Sequence, residues 1–258
     1  MMPEFEITFS IFLILFFGGF CAGFVDSIAG GGGLISLPVL LSVGLPPQLA
    51  LGTNKLQGSF GTFSASCNYI RKGKADLKSS VTGIVFTFIG AGLGAWAIQR
   101  LEPSLIRHLI PILLVAVFIY TLVSKELGFK NRRAVMNRQL FFFVFGLGLG
   151  FYDGFFGPGT GSFWTVALMV LLGLEMTAAA GVTRLMNFIS NIIALLVFVM
   201  GHNVLYSAGI CMAGGQIIGA RIGSGLAIKN GARFIRPIFL SVVFLTIVRL
   251  SYIYYFKA

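Results

Sequence analysis

Apolar stretches alternate along this chain with short polar turns, most of them basic. Runs near 7–25, 50–70, 79–99, 105–124, 139–156, 178–200, 204–227 and 233–255 come close to the ~20 residues a helix needs to cross a hydrocarbon core. Two shorter runs, 34–44 and 161–173, each follow a glycine-rich break and are long enough to cross only part of it. Strand-like alternation is not the pattern here. The runs predict an all-α, polytopic membrane protein.

The pattern repeats. Gly23, Phe24, Asp26, Gly30 and Gly32 fall on Gly150, Phe151, Asp153, Gly157 and Gly159 at a constant offset of 127. At an offset of 129, "ALGTNKL" (50–56) meets "AAGVTRL" (179–185) and "IGAGLG" (89–94) meets "IGARIG" (218–223). The order is the same in both halves, so the chain is a duplication. We divide it into a first repeat at 1–128, a basic linker at 129–138 and a second repeat at 139–258.

Composition agrees with a membrane protein. Of 258 residues 57% are hydrophobic and 10% charged, and the mean hydropathy is +0.92, outside the range of a soluble domain. The longest polar stretch, about 125–138, is a loop in length and leaves no room for a soluble domain. Glu4 and Glu6 precede the first run where a signal peptide would carry basic residues, so that run reads as a retained helix.

The net charge of +11 raises the question of a nucleic-acid partner. Its basic residues fall mostly in short loops, where orientation in a membrane accounts for them, and none is expected. Cys21, Cys67 and Cys211 lie in separate runs without metal-type spacing, so neither a disulfide framework nor a metal site is expected, and no cofactor is implied.

Loop charge also bears on how the halves are related. The clusters Arg71–Lys78, Lys125–Arg138 and Lys229–Arg236 share the cytoplasmic side only if the short runs count as crossings or parts of crossings. That gives two inverted repeats of four to five helical elements each, with both termini outside. If each glycine-interrupted pair instead forms a single crossing, the halves are parallel. The shortness of the loops favours inversion.

Of the eight acids only Asp26 and Asp153 stand within apolar sequence, and they are repeat mates. Lys55 and Arg184 are matched bases at similar depth. An ionisable residue in a membrane helix costs at least about 2.5–3.5 kcal/mol, so a doubled pair invites a functional role. The simpler account is a structural ion pair within each repeat, Asp26 with Lys55 and Asp153 with Arg184. Gly30, Gly31, Gly32 and Gly33 break the helix and must line a cavity or pack on protein, because lipid cannot satisfy their backbone. New helix N-termini near Leu34 and Gly161 would then face each other as an anion receptor. Asn54, Gln57, Gly61 and Asn68, and Thr183, Asn187 and Asn191, form polar stripes at helical spacing. Stripes of this kind serve helix packing as readily as a pore lining. Gln216 and Arg221 are similar candidates, and Arg221 has Gly92 as its mate, so the halves are not equivalent. His108 and His202 read as surface residues.

The twin motifs "GFVDSIAGGGGLISLP" with "ALGTNKLQ", and "GFYDGFFGPGTGSF" with "TRLMNFISN", resemble the sulfite exporter TauE/SafE family of bacterial membrane permeases over essentially the full chain. The resemblance implies transport of sulfur-containing or related organic anions across the bacterial inner membrane, with proton coupling often supposed. By position it places substrate contacts on Gly30–Gly33, Asn54, Lys55, Gly157, Gly159, Thr183, Arg184 and Asn187, with Asp26 and Asp153 as proton-coupling or structural groups. In the second copy Pro158 and Thr160 replace two of the four glycines. The expected partners are a small anion, membrane lipid and a possible second copy of the chain. An intramembrane enzyme using the two aspartates is the alternative; a cation channel is opposed by the buried bases.

Overall fold

A computed structural model describes residues 7–102, 104–106, 109, 110, 112 and 134–230. Within them lie α1 (Phe9–Ala29), α2 (Gly33–Ser42), α3 (Pro47–Arg71), α4 (Val81–Ile98), α5 (Arg138–Phe155), α6 (Thr160–Leu171), α7 (Met176–Met200) and α8 (Tyr206–Asn230), with a short 3-10 turn at Lys78–Ser80. The runs expected at 105–124 and 233–255, and both termini, fall largely or wholly outside the described residues. Phe9–Ile28, Lys78–Ile98 and Met176–Met200 are long and apolar enough to cross a bilayer. The protein is an all-α, multi-pass membrane protein.

Local chemistry sets the helix ends. Asn137 caps α5 by accepting from the Gln139 and Leu140 N–H groups, and Pro47 opens α3 at a position where no N–H is required. At the other end of α1, Gly30 takes φ 81°, the left-handed conformation that closes a helix. α1 runs to Ala29 and so carries Asp26 inside the helix, four residues past the end of the expected apolar run.

Contacts between helices give their directions. On α3 and α8, Leu56 lies against Gly209, Gly61 against Gln216 and Asn68 against Arg221, so these two run parallel. A Cβ on Gly215 or Gly219 would meet the backbone of Phe16 and Phe20 or of Phe20 and Phe24, which makes α1 parallel to α8. The same close approach joins Gly90 and Gly94 of α4 to Leu147 and Phe151 of α5. Small residues allow this, since apolar helices in lipid gain from backbone proximity. Between the repeat mates α3 and α7 the order reverses: Gly52 meets Phe198, Gly58 meets Asn191, and the Phe63 and Phe188 rings lie 5.3 Å apart. Mates that run antiparallel make the repeats inverted.

The halves are also interlocked. The first helix of each repeat packs chiefly on the fourth helix of the other, α1 on α8 and α5 on α4. Because α3 runs in the same direction as α1, the glycine break and α2 together must return the chain to the starting side. Ten residues of α-helix span about 15 Å, half the thickness of the core, and the unwound residues cover the rest.

Candidate functional site

The two breaks meet. A Cβ on Gly30 would overlap Gly161, one on Gly33 would touch Pro158, and the Ser162 N–H donates to the Gly30 carbonyl at 3.1 Å. Irregular backbone at depth is therefore covered by protein, as lipid requires. The helices that resume after each break, α2 and α6, begin beside this contact.

Each break is completed by a cation from the other repeat. Lys55 Nζ lies 2.7 Å from Asp153 Oδ1 and also donates to the Asp153 carbonyl. Arg184 Nη1 lies 2.9 Å from Asp26 Oδ2 and also donates to the Asp26 carbonyl. Both carbonyls belong to the last turn of a broken helix, where the helix dipole favours positive charge; that of Asp26 also accepts from the Gly30 N–H at 2.9 Å. The within-repeat pairing expected from the sequence is thus incorrect. The contact between the two breaks, with α3 packed against α7, brings each acid to the base of the opposite half.

The second oxygen of each acid is engaged as well. Asp26 Oδ1 accepts from the Gly32 N–H at 3.1 Å, which caps the start of α2. Asp153 Oδ2 accepts from Ser190 Oγ. All four charged groups are shielded, and Lys55 and Arg184 have side-chain exposures of 1% and 0%.

Beside these pairs lies a cavity of about 30 Å³, lined chiefly by polar groups. From the expected residues it takes Asp26, Gly32, Gly33, Asn54, Lys55, Asp153, Gly157 and Asn187. Gln57 and Asn191 of the polar stripes, and Gln216 of α8, also face it. Thr62 completes an Asn54–Gly58–Thr62 line at four-residue spacing, a signal the sequence carries but one that a threonine in an apolar helix rarely announces. Ser36 was not singled out by sequence, yet its hydroxyl contacts both Asn54 Oδ1 and the Gly32 carbonyl and ties α2 to α3.

Other expected residues sit elsewhere. Thr183 shares a hydrogen bond of 3.1 Å with Thr165, tying α7 to α6. Arg184 Nη2 lies where a Cβ on Gly30 or Gly161 would be, so those glycines make room for the guanidinium. Gly31 belongs to the break itself. Gly159, at φ 83°, supplies the left-handed turn into α6.

The profile of the sulfite exporter TauE/SafE family matches residues 15–250. The chain belongs to the sulfite exporter TauE/SafE family. Among relatives in that family, it is 38% identical over 247 residues to a probable membrane transporter protein of Haemophilus influenzae, covering 96% of this chain and 97% of the relative. It is 40% identical over 229 residues to the probable membrane transporter protein YfcA of Escherichia coli K12, covering 89% and 85%. A plant protein, sulfite exporter TauE/SafE family protein 6 of Arabidopsis thaliana, shares 30% identity over 112 residues, 42% of this chain and 26% of that one. No solved structure gives a significant match to this TauE/SafE chain.

Proposed function

We propose that this protein is a permease for small oxyanions, sulfur-containing ones in particular, and that its substrate binds in the polar cavity against Lys55. One observation carries the reading: a buried cation borders a polar cavity at the contact of two broken helices from inverted repeats. The names of its TauE/SafE relatives support transport, and the family's name supports a sulfur oxyanion. Both aspartates are committed to cations, which speaks against an intramembrane enzyme working through a free acid pair.

The four charges sum to zero, two carboxylates against one ammonium and one guanidinium. A monoanion alone would add net charge where solvation is poor, so a proton entering with it restores the balance. The anion takes an N–H of Lys55 from Asp153, and Ser190 retains the displaced carboxylate. Inverted repeats can offer this same site to either side by rocking one set of helices against the other.

The test is sulfite flux into proteoliposomes with and without an imposed pH difference. Uptake accelerated by acid on the sulfite side and abolished in Lys55→Gln supports the reading. Flux indifferent to pH removes the proton, and absence of flux for sulfite, sulfonates and small carboxylates alike removes the permease.

A further inference from the structure

The two seams related by the repeat differ in chemistry. Where α3 meets α8, Gln57, Asn68, Gln216, Arg221 and Ser224 are found; their mates at the offset of 129 are Met186, Val197, Thr87, Gly92 and Ala95, where α7 meets α4. At these five positions the first seam is polar from the cavity outward, whereas the second keeps one polar side chain, Thr87, whose hydroxyl faces Met186 Sδ. Parallel packing of α3 and α8 leads the polar seam from Gln216, at the cavity, toward the end of α3 that carries Arg71.

Arg221 stands on that seam, five residues or about 7.5 Å of helix beyond Gln216. Helix-end residues apart, it is the one charged side chain of the described helices with no ion-pair partner among the described residues. Its neighbours on the outer face of α8, Ile217, Ile218 and Ile222, are exposed and apolar, which makes an arginine costly there unless something uses it. Asn68 is 6% exposed. It accepts from Arg221 Nη1 at 3.0 Å and donates to Ser224 Oγ at 2.8 Å, so both ends of its amide are tied to α8 and the guanidinium is held in place.

We propose that Arg221, oriented by Asn68, is an outer binding station for an oxyanion passing between the Arg71 side and the central cavity. A guanidinium offers paired N–H donors that match two oxygens of a sulfur, phosphorus or carboxyl oxyanion. The path to the cavity rests on the permease reading; the station itself does not. A free anion and a lipid phosphate share this chemistry.

Gly225 provides a reporter one turn further along, because a Cβ there meets nothing within 4 Å. With Cys21, Cys67 and Cys211 replaced, Gly225→Cys is treated with a sulfonate-bearing and a neutral methanethiosulfonate reagent. The rate ratio is expected to be about tenfold higher with Arg221 than in Arg221→Gln, with Arg221→Lys in between and Asn68→Ala reduced. Gly148→Cys, also in open space, is the control and shows no dependence on Arg221. An equal ratio with Arg221 and in Arg221→Gln, measured in phosphatidylcholine vesicles, overturns the station. A ratio that survives there but falls to the Arg221→Gln value in phosphatidylglycerol vesicles assigns it to the headgroup of an anionic lipid and overturns the path. Sulfite flux separates the two claims: Arg221→Gln raises KM about tenfold from the Arg71 side only, leaving stabilisation by sulfite at the central site unchanged. A KM unchanged from that side overturns the path. No flux in the wild type, with the charge-dependent ratio intact, ends the permease reading and the path while the station stands.

Discussion

Lys55 and Asp153 show most plainly what individual residues do here. Burial makes each dependent on the other, so removing one leaves an uncompensated charge. Lys55→Met is expected to destabilise the protein by about 3–5 kcal/mol, while Lys55→Met with Asp153→Leu recovers much of that loss. Chemical unfolding in detergent checks the stability, and flux should stay absent in both variants. The sequence identified these four charged residues by depth and repetition. It could not tell which acid meets which base, because that choice depends on crossed packing between residues 98 and 158 positions apart. Asp26 illustrates the same limit. A charge read locally ends an apolar run, yet the helix continues to Ala29 because Arg184 arrives from the other repeat.

At the level of elements, the seams of α1 with α8 and α4 with α5 depend on small residues. A Cβ at Gly219 would overlap the Phe20 carbonyl oxygen, so Gly219→Ala should cost about 1–3 kcal/mol and lower the midpoint of thermal unfolding. Gly148→Ala, facing open space, should leave that midpoint nearly unchanged. The turn before α4 adds a pH dependence. Backbone and side-chain hydrogen bonding from Ser79, joined by the Lys78 N–H and the charge of Arg138, holds the Asp76 carboxyl below its ordinary range. A lowered carboxyl contributes stability above its unfolded value and loses it as pH falls through the folded one. Acid-induced loosening of this turn, followed by hydrogen exchange at Ser79 and Ser80, should therefore disappear in Asp76→Asn. Helix positions were legible from apolar runs, and the short α2 and α6 from their glycine breaks. Their return to the starting side was legible only from the loop charges, whose parity requires the short runs to count as crossings or parts of crossings; ten residues read by length alone are too few to cross.

For the whole molecule, inversion fixes which loops share a side. Lys74 Nζ lies 3.5 Å from Glu175 Oε1 and Arg138 donates to Ser79 Oγ at 2.9 Å, so the loops after α3, before α5 and before α7 lie together. Asn203 donates to Gln99 Oε1 at 2.9 Å at the opposite end. In sealed vesicles an impermeant thiol reagent should label Lys72→Cys and Arg138→Cys from one side, and Arg100→Cys and His202→Cys only from the other. Labelling of all four from one side would contradict the antiparallel mates.

Crossed pairing also bears on how the protein is made. Asp26 must wait for a guanidinium that lies 158 residues downstream. At about 5–20 residues per second, a ribosome needs roughly 8–30 s to deliver it. During that interval the nascent first half holds an acid and an amine whose native counter-ions have not yet been synthesised. Insertion machinery that shelters half-finished bundles from lipid, rather than the first repeat's own folding, should therefore govern the yield of this protein.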